Sequence, residues 1–246
     1  MWLLVLAVLS QAPGGAQAGC AREPVAQVGP VPVWRVPGTA ALVYESGLAI
    51  DADGAPDAYH PDGQGLDHLA NAGKPGNWWG VVTDTGKSSG TPVVQGPSDP
   101  EPGYYVSSTS LQDTSKAVTD PRRYVDSNLV PYLAISPRLL GKSLPGGVKL
   151  GDVAAVVNTS NGKVAYAVVA DVGPKDKLGE GSIALADALG IRSNPKRGGA
   201  VKGVVYVVFP GSSAGWPRTS EEIAGDGERL FKAWGGVARV QQCRAG

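Results

Sequence analysis

In the stretch ADVGPKDKLGEGSIALADALGI, residues 170–191, an apolar run ends in Asp171, opens into a Gly- and Lys-rich loop and presents Glu180 before an amphipathic segment. Two carboxylates around one cleft can divide the work of glycoside hydrolysis: one, with a raised pKa, protonates the leaving oxygen, and the other activates water or attacks. The local sequence suits that task. Pro174 lacks an N–H and stops a regular strand just past Asp171. Gly179 and Gly181 free the backbone around Glu180 to expose its side chain at a groove. The plainer alternative is a strand terminator and a solvated loop acid paired with Lys175 or Lys177, and the residue pattern alone favours it.

A second group lies in AIDADGAPDAYHPDGQGLDH, residues 49–68. Asp51, Asp53, Asp57 and Asp62 can hold the ammonium groups of an amino-sugar polymer, with Tyr59 and His60 adding hydrogen bonds. Asp51-x-Asp53-Gly54 also looks like the start of a calcium loop, but the glutamate at the twelfth position is missing. A structural calcium stays open as an alternative. His60 and His68 are too few and too far apart for a zinc site, and no HExxH is present. Trp79 and Tyr105 are candidate faces for stacking sugar rings. Adjacent strand residues point to opposite sides, so only one of Trp78 and Trp79, and one of Tyr104 and Tyr105, can line any one groove.

Two motif matches carry no function. GSSAG, residues 211–215, fits the esterase G-x-S-x-G pattern, but no histidine follows it and Trp216-Pro217 replaces the helix start. The GKS triplets beginning at Gly86 and Gly141 lack the upstream glycine of a phosphate loop.

Strands must position these groups. ALVYESGLAI, NWWGVVTDTG, TPVVQG, GYYVSSTSL, VPYLAISP, DVAAVVNTS, KVAYAVVAD and KGVVYVVFPG are short, rich in Val and Tyr, and bounded by turn formers. DVAAVVNTSNGKVAYAVVAD reads as a hairpin in which Asn161-Gly162 supplies the positive-φ turn positions. Helical signal is sparse. SIALADALG puts Ile183, Ala186 and Leu189 on one face with Gly190 as a stop. TSEEIAGDGERLFKAWGG opens on a capping box, Thr219 to Glu222, and is weakened by Gly225 and Gly227. Residues 19–40 are Pro-rich and aperiodic, the pattern of an extended arm or linker. The rest reads as one β-rich domain, closed or nearly closed to protect its strand edges.

Composition agrees with a single Gly-rich domain: 246 residues, 35 Gly, 20 Pro, 42% apolar and only 18% charged. Residues 1–18 read as a signal peptide ending in the small-x-small pattern Ala16-Gln17-Ala18, although no positive charge stands near Met1. The apolar run is shorter than the ~20 residues a membrane-spanning helix needs. An exported chain permits Cys20 and Cys243 to pair as a clasp between the termini. Lipid attachment at Cys20 is the rival. Its preceding Gln17-Ala18-Gly19 lacks the large apolar residue usual three positions before a lipidated cysteine. Lys and Arg balance Asp and Glu at 22 each. Between Arg35 and Lys74, however, there is no Lys or Arg and there are six acids, Glu45, Asp51, Asp53, Asp57, Asp62 and Asp67, a block that attracts cations. No basic stripe suggests nucleic acid.

SGLAIDADG, YYVSSTSL, VPYLAISP and AYAVVADVGPKDKLGEGSIALADALGI together resemble glycoside hydrolase family 75, the secreted chitosanases first described in fungi, over about residues 42–235. The resemblance implies a catalytic pair at Asp171 and Glu180, inversion at the anomeric carbon, and hydrolysis of β-1,4 bonds between glucosamine units, with Glu180 favoured as the acid. The loop between the two acids looks shorter than in the fungal enzymes. The same stretch also resembles the signature of double-psi β-barrels, found in family 45 endoglucanases, expansins and the lytic transglycosylases called rare lipoprotein A. The resulting expectations are a mostly β, six-stranded double-psi-barrel-like domain at residues 41–240, secreted and monomeric, acting on chitosan or a related amino-sugar polysaccharide without a cofactor. A peptidoglycan-lytic enzyme and a non-catalytic expansin-like binding protein are the alternatives.

Overall fold

The computed structural model describes residues 20–245, so the leader expected at residues 1–18 lies outside the described residues. In chain order the strands are β1 (Glu23–Val28), β2 (Val31–Arg35), β3 (Leu42–Asp51), the two-residue β4 (Gly73–Lys74) and β5 (Asn77–Trp78), β6 (Tyr132–Ile135), β7 (Val153–Asn158), β8 (Val164–Val172), β9 (Glu180–Ser182) and β10 (Ala200–Phe209). The helices are α1 (Ile183–Ala188), α2 (Ser220–Trp234) and α3 (Gly236–Ala245).

The main sheet runs β3-β10-β7-β8-β6-β9, and β9 pairs back onto β3, closing a six-stranded barrel. The β3–β9 and β6–β8 pairs are parallel and the other four are antiparallel. The mostly β, closed fold expected from the strand pattern is therefore what forms. Strand alternation explains why the runs are apolar almost throughout. Leu42, Tyr44, Ala154, Val156, Ala167, Val169, Val204, Tyr206 and Val208 fill the barrel, where Tyr44 and Tyr206 stack with ring centroids 4.6 Å apart. The intervening Val43, Ala155, Val157, Val205 and Val207 face outward, against Phe231 and Trp234 of α2 and Val240 of α3.

Helix α2 begins with the expected capping box, in which Thr219 and Glu222 satisfy each other's backbone N–H groups. Gly227, which costs intrinsic helix propensity, is there for packing: a Cβ at that position would lie 2.6 Å from Cβ of Tyr166. The β7–β8 turn differs from expectation. Only Gly162 has positive φ, +74°, because the connection is a longer loop closed by Asn158 N–H donating to the Lys163 carbonyl at 2.9 Å. Asn161 is spent elsewhere, its side chain donating to the carbonyl of Leu189.

The Pro-rich arm is an ordered hairpin, β1–β2, joined to the barrel edge where Trp34 pairs with Val43. A disulfide links Cys20 to Cys243, with Cα atoms 4.6 Å apart. No helix among the described residues is long and apolar enough to cross a membrane.

Between β3 and β6 lies a long wall, residues 52–131, with little regular structure. The runs NWWGVVTDTG, TPVVQG and GYYVSSTSL, read as strands, form β5 and otherwise only single-residue bridges: Val81 with Ser107, Thr83 with Pro92, and Val94 with Tyr105. Buried side chains do the work of a ladder here. Ser107 Oγ accepts from Gly54 N and donates to the Gly80 carbonyl, and Gln95 donates to the carbonyls of Pro56 and Tyr105.

Candidate active site

Strand register brings the two acids together. Ala134 of β6 pairs with Asp171 of β8 on one side and with Glu180 of β9 on the other. At ~4.8 Å per strand, the two acidic residues have backbones about 10 Å apart, with a small side chain between them. Both line a cleft of about 510 Å³ at the barrel end, shared with Asp51, Asp53, Tyr59, Asp67, Asn71, Trp79 and Lys177.

Asp171 is fixed through one oxygen. Its Oδ1 accepts from Ser110 Oγ at 2.6 Å, Ser110 N at 2.9 Å and Val172 N at 2.8 Å. Oδ2 is left for the cleft. Burial nevertheless holds its carboxyl above the usual range, those three donors pulling it down and the nearby Glu180 charge adding a further upward push. Glu180 is held differently, by an ion pair of 2.6 Å to Lys177 Nζ. Gly173 leaves room for it: a Cβ there would sit 2.7 Å from Glu180 Oε2.

Asp51 and Asp53 stand at the end of β3. Burial, then the charge of Asp171, pushes Asp51 up to about 8, against the pull of the Asp53 N–H that donates to its Oδ1 at 2.9 Å. Burial together with Asp51 and Asp171 raises Asp53 as well, although Tyr59 donates to its Oδ1 at 2.6 Å. The backbone here is pinned from below, where Tyr132 OH donates to the Asp53 carbonyl at 2.9 Å and Ser127 Oγ to the Asp51 carbonyl. A carboxyl cluster that stays partly protonated when empty can ionise when a cation arrives. Among the described residues no group of three His, Cys, Asp or Glu side chains is arranged to hold a metal ion.

Of the residues singled out in the sequence, Asp51, Asp53, Tyr59, Trp79, Asp171 and Glu180 line this one cleft. Trp79 is 59% exposed, its indole N–H tied to the Asn71 carbonyl, whereas Trp78 is buried. Asp57, His60, Asp62 and Tyr105 do not line it. Asp57 accepts from the Asn128 side chain, His60 sits edge-on to Tyr104, Asp62 is exposed in the loop that follows, and Tyr105 packs beside Trp78. Ser110, Asp67 and Tyr132 were not singled out as site residues. Ser110 lies in YYVSSTSL, a run that carried the family resemblance, but nothing local shows that its hydroxyl reaches Asp171.

Several carboxyl groups gathered at one open end of a closed β-barrel can serve acid–base chemistry on a bound substrate. The family described as fungal chitosanase of glycosyl hydrolase group 75 matches residues 98–233, more than half of the chain, and the protein belongs to that family. No curated protein matches the chain. The matched stretch contains Ser110, Asp171, Lys177 and Glu180; Asp51 and Asp53 precede it.

Proposed function

We propose that the protein is a secreted endo-chitosanase that hydrolyses β-1,4 bonds between glucosamine units with inversion. The observation that carries this reading is the pairing of Asp171 and Glu180 across Ala134 in a cleft that also holds Asp51, Asp53 and Asp67. Acids two strands apart fit the wider carboxyl separation of inverting enzymes, about 6.5–9.5 Å, which leaves space for water.

The contacts favour the opposite division of labour from the one expected. Asp171, raised by burial and bonded through Oδ1, is assigned as general acid, with Oδ2 delivering the proton to the leaving oxygen. Glu180, ion-paired with Lys177, is assigned as the base that takes a proton from the attacking water. Asp51 and Asp53 receive the ammonium groups of the polymer, so turnover weakens at high salt as charge pairing is screened. The Cys20–Cys243 bond supports export, since disulfides persist in oxidising compartments.

The test is reducing-end release from soluble chitosan and from peptidoglycan by the purified mature protein, beside Asp171→Asn and Glu180→Gln. Cutting of chitosan, lost in both variants while they remain folded, is the expected result. Release from peptidoglycan alone, or from neither polymer, overturns the assignment. Proton NMR of the first-formed anomer separates inversion from retention.

A further inference from the structure

Trp79 lines two depressions. Besides the cleft there is an open groove of about 330 Å³, lined by Trp79, Val82, Lys87, Gln112, Val118 and Tyr124 among others, and by no carboxylate. The two depressions share the Trp79 wall but differ in chemistry. The cleft presents Asp51, Asp53, Asp67, Asp171 and Glu180 to a cation. The groove presents a lysine ammonium, which repels one.

Its other features fit an acetamido group. Gln112 Oε1 accepts from Arg123 Nε at 2.6 Å, which fixes the amide orientation and leaves the NH₂ without a protein acceptor among the described residues. That donor suits an amide carbonyl. Val118 is 51% exposed although it lines the groove, and with Val82 it offers apolar surface for a methyl. The exposed Trp79 ring, fixed by its bond to Asn71, supplies a stacking face.

We propose that this groove is a subsite for an N-acetylated sugar, so that the enzyme cuts among glucosamine units while holding N-acetylglucosamine farther along the same chain. The proposal rests on the chitosanase reading for its polymer and deepens it by setting the acetylation pattern the enzyme selects.

Partially acetylated chitosan is digested and the products are sequenced by mass spectrometry. Glucosamine should flank the cut, with N-acetylglucosamine enriched at one position at least two units away on one side. Lys87→Glu should abolish that enrichment and leave the units at the cut unchanged. Acetylation at the distal positions in the polymer's own proportion, or enrichment unaffected by Lys87→Glu, overturns the proposal.

Binding is measured separately in Glu180→Gln, by calorimetry with the fully N-acetylated tetramer and with the glucosamine tetramer. Adding Gln112→Ala should weaken the N-acetylated tetramer by about fivefold, the scale of one hydrogen bond, and leave the glucosamine tetramer unchanged. That selective loss in a protein that cuts no chitosan retains the groove and discards the reaction assignment. Equal effects on both tetramers discard the groove even where chitosan is cut.

Discussion

The barrel and the wall between β3 and β6 solve the same problem by different means. In the barrel, backbone ladders hold β6, β8 and β9 in register, and that register alone sets Asp171 and Glu180 on either side of Ala134. In the wall, side chains such as Ser107 and Gln95 tie loops to one another, and single-residue bridges replace strands. The two regions meet where Ser110 of the wall bonds Asp171 of the barrel. On the proposed function, the contrast places the reacting carboxylates on laddered barrel strands and the groups of the Trp79 groove on the wall.

Substitutions can break that contrast at several strengths. Asp171→Asn and Glu180→Gln should each lower chitosan turnover by ~10²–10⁴-fold, the usual yield of general acid and base catalysis, with melting temperature little changed. Gly173→Ala should cost ~10–100-fold in kcat by pushing Glu180 aside, since a misplacement of about 1 Å has that effect. An unaltered kcat would show that the Glu180 position is not strict.

Stability should divide along the same line. Leu133→Ala in the barrel interior should lower the unfolding free energy in urea by ~2–5 kcal/mol. Val94→Ala, at an exposed wall position, should lower it by ~0.5 kcal/mol or less. Similar losses at the two sites would contradict the burial of Leu133 in the barrel interior.

A further effect is in the pH dependence of stability. With Asp51 raised to about 8 in the folded protein, the native state keeps a proton that the unfolded chain releases from roughly pH 4 upward. Its contribution to stability is therefore full at low pH and declines as pH rises toward 8. Asp51→Asn should flatten the fall in melting temperature across that window, leaving the part due to Asp53 and Asp171. A slope identical to wild type would contradict the burial of this carboxyl.

The barrel was legible because short apolar runs rich in Val and Tyr and bounded by turn formers survive in ALVYESGLAI, DVAAVVNTS, KVAYAVVAD and KGVVYVVFPG, and because a capping box marks α2. The wall was not, since NWWGVVTDTG and GYYVSSTSL have strand composition but are interrupted by Gly and Ser, whose hydrogen bonds run to distant backbone. Asp171 and Glu180 could be picked out from one stretch of chain. Their joining to Asp51 and Asp53 could not, because it depends on β9 closing parallel onto β3, a pairing across most of the sequence that no local pattern encodes. The same holds for Ser110 and Asp171.

The bond between Cys20 and Cys243 makes the described chain, apart from its last residues, a covalent ring with a sequence separation of 223 residues. One proteolytic nick at any exposed turn inside it, such as that around Gly63 or Gly86, linearises the ring without freeing a fragment. A nicked molecule gains only the mass of one water and runs as one species until a reductant is added. A chain built this way can be cut once by a protease and still hold both halves of its cleft on one molecule.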